Sequence, residues 1–211
     1  EGKQLNSILP HHCEEVGSMI ARFTNITKSS KLIRKNSMGI NSWEKIFLKC
    51  KEKENKVYIQ YLEVIEKELF FLKNNWPKNL PEAIIHADLF KDNIFFREDK
   101  ISGVIDFYFS CKDFIAYEVA LTINAWCFDK KNGFLKKNYY SFMEGFNKHA
   151  SLNQHEVKAL NLLLRGSALR ILVTRLHDKI FHPDDALVIP KDPKEYLNIL
   201  EWHQKNLVIN S

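Results

Sequence analysis

The sequence predicts an α+β fold that is mostly helical and carries one small cluster of strands. Three observations carry this. Apolar residues recur at helical spacing before residue 75, as in Tyr61, Leu62, Ile65, Leu69 and Leu72. Between about 83 and 105 the pattern changes to short apolar runs bounded by polar turn formers, which read as strands. From Phe114 onward the helical pattern resumes. A length of 211 residues suits one large domain or two small ones.

In chain order, residues 1–9 read as extended or loop. A helix is predicted over 10–23: Pro10 suits a first helical position, and Cys13, Val16, Ile20 and Phe23 share a face. Residues 24–53 are polar and read as irregular, with a short helix around Trp43, Ile46 and Phe47. A long amphipathic helix is predicted over 54–74, ended by Pro77 and Pro81. Strands follow at 83–86, 94–97 and 101–105, the last two joined by the turn Glu98-Asp99-Lys100. Helices are predicted over 115–128, 134–149, 155–181 and 193–207. Leu160, Leu163, Leu164, Ile171 and Leu172 are assigned to the core. Asp192-Pro193-Lys194-Glu195 is a helix start signal, with an acidic cap and Pro in the first turn.

Composition narrows the classes. Basic residues exceed acidic ones, 31 to 26, for a net charge of +5. The most basic region, with Lys28, Lys31, Lys49, Lys51, Lys53 and Lys56, reads as solvated surface rather than a nucleic-acid interface. Such a mild field would suit an anionic ligand. Cys13, Cys50, Cys111 and Cys127 form no C-x-x-C pair and read as reduced thiols of a cytoplasmic protein. No apolar run reaches membrane-spanning length, and no signal peptide is visible. The chain starts at Glu1 without an initiator Met, which reads as a fragment of something longer, a lost leader included.

The chemistry concentrates in Ile84-Ile85-His86-Ala87-Asp88-Leu89-Phe90-Lys91-Asp92-Asn93-Ile94. This is a buried strand, a polar loop with the spacing H-x-D-x-x-x-x-N, and a second buried strand. A further apolar run, Gly103-Val104-Ile105, ends in Asp106. Two acids and an amide at strand ends suit phosphoryl transfer. One carboxylate can take the proton of an attacking hydroxyl; the amide and the other acid can hold a magnesium ion that binds nucleotide phosphates. The competing reading, a hairpin with polar turn formers, does not account for Asp106. A zinc hydrolase site from His86, Asp88 and Asp106 lacks a second well-spaced His. The seven glycines are too scattered for a phosphate-binding loop, and no V-A-I-K lysine strand precedes the motif.

His86-Ala87-Asp88-Leu89-Phe90-Lys91-Asp92-Asn93 and Gly103-Val104-Ile105-Asp106-Phe107-Tyr108-Phe109 resemble the aminoglycoside phosphotransferase and choline kinase superfamily, and within it the bacterial homoserine kinases. Ala120-Leu121-Thr122-Ile123-Asn124-Ala125-Trp126-Cys127, Ala168-Leu169-Arg170, Thr174-Arg175-Leu176 and Pro190-Lys191-Asp192-Pro193 extend the resemblance over nearly the whole chain. It implies a protein-kinase-like C-terminal lobe over 1–211, with the N-terminal nucleotide lobe missing. It implies ATP and Mg2+ as cofactors and L-homoserine as substrate; an aminoglycoside, choline or methylthioribose are the alternatives within the superfamily. An inactive remnant or binding module is the alternative outside catalysis.

By the same resemblance Asp88 matches the catalytic base, and Asn93 and Asp106 match the magnesium ligands. His86 and Glu118 match loop supports, and Asp92 reads as a bracing acid. Two positions depart from the pattern: Glu118 stands where the family usually has Asp, and Ala125 where it often has Asp. Tyr108, Trp126, Arg170 and Arg175 are the candidate substrate residues, the arginines because a guanidinium fork suits a carboxylate. Core packing for the two aromatics and surface ion pairs for the arginines are the competing readings. Arg165, Arg170 and Arg175 recur at a spacing of five, which does not keep one helical face, so they cannot all enter one pocket.

Overall fold

The computed structural model describes residues 2–53, 58–130, 133–183 and 189–208. Three helices open the chain: α1 (Pro10–Thr27), α2 (Ile40–Glu52) and α3 (Ile59–Asn75). Four short strands follow: β1 (Glu82–Ile85), β2 (Ile94–Arg97), β3 (Lys100–Val104) and β4 (Cys111–Phe114). Then come α4 (Ile115–Trp126), a small ribbon of β5 (Phe128–Asp129) and β6 (Gly133–Phe134), α5 (Lys136–Asn147), α6 (Gln154–Ile180) and α7 (Lys194–Lys205).

The helix ends have local causes. Pro10 occupies the first turn of α1, and His12 Nδ1 accepts the Leu9 N–H at 3.1 Å. Asn153 caps α6: its side-chain oxygen accepts the His155 and Glu156 N–H groups at 2.8 and 3.0 Å, and Glu156 accepts the Asn153 N–H at 2.9 Å. At α7, Asp192 Oδ1 accepts the Lys194 N–H at 2.9 Å, as its start signal predicts. Glu195 does not reach back to complete a capping box; Arg175 takes its carboxylate at 2.8 Å.

The long α6 is the spine of the helical part, packing against α2, α3, α4 and α7. Leu160, Leu163, Leu164, Ile171 and Leu172 are buried along it, as their spacing predicts. Buried Trp43, Trp126, Phe142 and Phe146 fill the spaces between helices, and the four cysteines are unpaired and buried. Helices α1 and α5 cross at glycines: a Cβ on Gly145 would lie 1.9 Å from the Glu14 carbonyl oxygen, and one on Gly17 2.1 Å from that of Phe142.

A buried polar chain joins α4, α6 and α7. Asn124 Nδ2 donates to the Leu164 carbonyl at 2.9 Å and to Ser167 Oγ at 2.6 Å, while its Oδ1 lies 2.7 Å from His203 Nε2. The amide orientation makes His203 Nε2 the donor. Burial pushes its pKa down to about 3, and the nearby Arg165 charge acts the same way. An unfolded histidine takes up its proton near 6.5, while the native one stays neutral to about 3. Stability is therefore lost as pH falls from about 6.5 toward 3, by up to about 1.4 kcal/mol per pH unit. His203→Gln should remove that component from the pH dependence of urea denaturation.

The strand cluster forms two separate pairs. β1 and β2 flank the polar loop but do not pair with each other. β1 pairs antiparallel with β4, Glu82 opposite Phe114 and Ile85 opposite Cys111. β2 pairs with β3 as the predicted hairpin, with an irregularity between Phe95 and Phe96 and a left-handed Glu98 in the turn. The sequence reading omits β4 because Cys-Lys-Asp-Phe has no alternation; its partner strand fixes it. The β5–β6 ribbon, two residues a strand, is likewise absent from that reading. Residues 24–53 are more regular than their polarity predicts: α1 runs on to Thr27, and α2 is a full helix burying Trp43, Phe47 and Cys50. Residues 54–57, the predicted start of the third helix, and Lys56 with them, lie outside the described residues. Near the chain start, Lys3 bridges to Phe96, so residues 2–9 are partly paired.

Candidate active site

The loop between β1 and β2 is held from below by two buried side chains. Glu118, in the first turn of α4, accepts the His86 N–H on Oε1 at 3.0 Å and the Ala87 N–H on Oε2 at 2.8 Å. The extra methylene relative to Asp does not prevent a two-pronged grip. From α6, Arg170 donates through Nη1 to the Ala87 carbonyl at 2.7 Å. Ala87 itself sits at φ 63°, a left-handed conformation that a side-chain-bearing residue adopts only when its surroundings enforce it. Burial pushes the Glu118 carboxyl up to about 7, against the pull of the two N–H groups and of Arg170.

That shift has a sign. Folded Glu118 ionises near 7 and an unfolded glutamate near 4.5, so between those values the native chain holds the extra proton. Stability from this group falls as pH rises from about 4.5 to 7. Over 4.5–6.5 it opposes the His203 slope, and each becomes visible only when the other is removed. Glu118→Gln should abolish the Glu118 slope in urea denaturation. It should also destabilise by about 1–3 kcal/mol, because an amide has one acceptor for two buried N–H groups.

The upper side of the loop brings the polar groups together. Asn93 Nδ2 donates to the Asp88 carbonyl at 2.8 Å and to Asp88 Oδ2 at 3.3 Å, leaving the Asn93 Oδ1 directed away from Asp88. Asp106 is joined to them through its neighbour. The Ile105 N–H donates to the Asn93 carbonyl at 3.0 Å, and His86 Nε2 donates to the Ile105 carbonyl at 2.9 Å. Both ends of Ile105 are thus tied to the loop, and the next residue, Asp106, follows at φ 63° with its side chain exposed. Burial raises the Asp88 pKa; Arg170 and His86 counter it, and Asp106 adds to it. Burial lowers the His86 pKa, consistent with a neutral ring whose Nε2 proton goes to Ile105.

The predicted site residues therefore separate into two groups. Asp88, Asn93, Asp106, His86 and Glu118 belong to one bonded unit. The candidate substrate residues do not. Trp126 is fully buried, and its Nε1 donates to the Leu89 carbonyl at 2.7 Å. Arg170 is 2% exposed and lies beneath the loop. Arg175 bonds Glu195 at 2.8 Å and the Asp192 carbonyl at 3.2 Å, under the Tyr196 ring. Each of the three makes these bonds within the fold rather than presenting them at the surface. Tyr108 is exposed, its carbonyl held by Arg34 Nη2 at 2.6 Å. Arg165 pairs with Glu68 through two 2.7 Å bonds, so the three arginines go to three places, as their spacing requires.

Sequence reading missed several neighbours. Lys191 pairs with Asp92 at 2.8 Å and so ties the segment before α7 to the loop. Phe107 lies tilted against His86 with ring centres 4.6 Å apart. A cavity of about 410 Å³ opens beside them, lined by Met19, Phe23, Ile26, Leu89, Val104 and Phe107, with His86 and Arg22 as its polar members. Its apolar lining comes from elements far apart in sequence, which spacing does not reveal. His11, His12 and Asp99 also converge within ligand distance of one another. Because His12 Nδ1 accepts the Leu9 N–H, its Nε2 carries the proton and faces the Asp99 carboxylate at 3.7 Å. His11 Nε2 bonds Asp99 Oδ1 at 3.1 Å and so braces α1 against the β2–β3 turn.

An acid and an amide locked together on a strand-end loop, with a second acid tethered alongside and a helical body beneath, define a kinase-like fold. The chain belongs to the phosphotransferase enzyme family, whose pattern matches residues 1–139. Homoserine kinase of Parvibaculum lavamentivorans is 41% identical over 97% of this chain and 64% of its own length. Homoserine kinase of Sinorhizobium fredii is also 41% identical, over 97% and 63%. The chain thus spans less than two-thirds of the length of these curated relatives. Among solved structures, the amicoumacin kinase hAmiN, in complex with AMP-PNP, Ca2+ and Ami, aligns with a TM-score of 0.68. It is 13% identical, over 98% of this chain and 63% of that one. Plasmodium vivax ethanolamine kinase aligns at 0.64 with 16% identity, over 97% and 62%. Among the described residues no helix is long and apolar enough to cross a membrane.

Proposed function

We propose that these 211 residues are the C-terminal, catalytic-loop lobe of a cytoplasmic homoserine kinase. The reaction is ATP plus L-homoserine to ADP plus O-phospho-L-homoserine. The observation that carries the reading is the bonded unit of Asp88, Asn93 and Asp106 in a chain 41% identical to homoserine kinases. Asp88 accepts the proton of the substrate hydroxyl as its oxygen attacks. The Asn93 bond fixes the orientation of that carboxylate, and positioning of this kind is the main source of rate in phosphoryl transfer.

Asn93 Oδ1 and the exposed Asp106 carboxylate are hard oxygen donors on adjoining segments, the donor set that suits Mg2+. When bound, Mg2+ and ATP supply the phosphoryl group and offset its developing charge. His86 and Glu118 hold the backbone that carries Asp88.

The test is ADP release with purified chain across L-homoserine, choline, kanamycin and methylthioribose. Turnover with homoserine and no other acceptor is expected of the completed kinase, and the 211 residues alone are expected to turn over slowly or not at all; stimulation only by another acceptor would replace the substrate assignment. The length difference from the relatives favours a second reading: a remnant or binding module that depends on the N-terminal lobe of a longer chain. Under it, adding that lobe restores turnover that the 211 residues lack, and isothermal titration finds only weak binding of magnesium-ATP to them alone.

A further inference from the structure

We infer that Arg170 is a positioning residue for Asp88: its guanidinium locks the Ala87 peptide in a left-handed turn that aims the Asp88 carboxylate at the acceptor hydroxyl. The inference rests on the kinase reading for its catalytic consequence, but not for the lock itself.

The geometry around Ala87 is that of a clamp. Its N–H is taken by the Glu118 carboxylate at 2.8 Å and its carbonyl by Arg170 at 2.7 Å. One residue is therefore gripped at both of its polar groups, from two different helices, by two buried side chains. Glu118 is wholly buried and Arg170 is 2% exposed, so water competes with neither bond. Ala87 at φ 63° lies where L side chains are disfavoured, and glycine would be the unstrained choice. A turn of that kind relaxes unless something holds it. Asp88 follows directly on the clamped peptide, so any relaxation of Ala87 turns Asp88 with it.

Among the described residues Arg170 makes no ion pair, although its charge acts on Glu118 and Asp88. Its Nη1 goes to a neutral carbonyl, and its guanidinium lies 5.4 Å from the Phe109 ring centre. Its Nε is buried with no partner among the described residues. A buried guanidinium held this way contributes little to stability that a well-packed apolar residue would not. What it supplies is a fixed donor to the Ala87 carbonyl and a positive charge beside the loop. Truncation to a small apolar side chain would remove both.

The experiment uses the 211-residue chain and three variants: Arg170→Met, Arg170→Lys, and Arg170→Met combined with Ala87→Gly. Amide exchange by NMR is read at residues 84–90 and, as an internal control, along α4 and α6. Arg170→Met is expected to speed exchange at His86 and Ala87 by 10-fold or more while α4 and α6 stay protected. Adding Ala87→Gly should recover part of that protection, because glycine needs no enforcement in this conformation. Homoserine-dependent kcat should fall by 10- to 100-fold in Arg170→Met with KM little changed. Arg170→Lys, which keeps charge and a donor, should lie in between.

Unchanged exchange at His86 and Ala87 in Arg170→Met would overturn the proposal. So would a rise in the KM for homoserine at constant kcat, which would return Arg170 to the substrate carboxylate. Absence of homoserine turnover in the unmodified chain even with an N-terminal lobe supplied would count against the kinase reading. The exchange arm would still decide the lock.

Discussion

Gly145→Val is expected to destabilise the chain by about 3 kcal/mol or more and to yield little folded protein. The cause is local. A Cβ at position 145 would stand 1.9 Å from the Glu14 carbonyl oxygen, 2.7 Å from its carbon and 2.9 Å from its Cα. All three obstacles are backbone of α1, which cannot rotate away as a side chain can. The reciprocal contact, Gly17 against the Phe142 carbonyl at 2.1 Å, closes the same crossing from the other helix. Relief requires α1 and α5 to separate, and α1 also carries Cys13, Val16 and Ile20, which are fully buried or nearly so. Gly103→Ala is the control, since a Cβ there meets nothing within 4 Å. Thermal and urea denaturation of both variants checks the prediction; equal midpoints would mean that the helices are free to part.

Such a crossing is invisible in the sequence. Gly17 and Gly145 each stand inside a helical pattern, where glycine reads only as a weak helix former. The reason for them is a pairing of residues more than a hundred positions apart. The same limit explains the other misses. β4 depends on β1 for its existence, and α2 depends on the apolar surface of α6, so the local polarity of 24–53 was a poor guide. Conversely, Asp88, Asn93 and Asp106 were legible because strand-loop-strand patterning is local and its polar residues have few other uses. Glu118 was legible only through resemblance. Arg170 and Trp126 show the opposite case. Their residue types suit ligand contact, yet in this fold each spends its polar group on a loop carbonyl, Ala87 or Leu89. Residue type gives chemistry; only packing says which way that chemistry faces.

Asp88→Asn is expected to lower homoserine-dependent turnover by roughly 10²–10⁴-fold, the usual contribution of a positioned general base. The substitution is chosen for its geometry. Asn has the shape of Asp, so the two bonds from Asn93 to residue 88, one to the backbone carbonyl, have a partner to keep. The loop should therefore keep its fold, and burial of position 88 should be easier for a neutral side chain, because burial already disfavours the charged form of Asp88. Stability is expected to be unchanged or slightly raised while turnover collapses. That combination separates a chemical role from a structural one. A structural acid, once neutralised, would lower stability and activity together. The checks are steady-state kinetics with homoserine and ATP, together with urea denaturation of the same preparations. Asn93→Ala provides the comparison: it removes the donor that orients Asp88 and an oxygen proposed for Mg2+, so its loss of activity should be partly recovered by raising Mg2+, whereas that of Asp88→Asn should not. Full activity in Asp88→Asn would remove this carboxylate from the mechanism and leave the loop with a binding role alone.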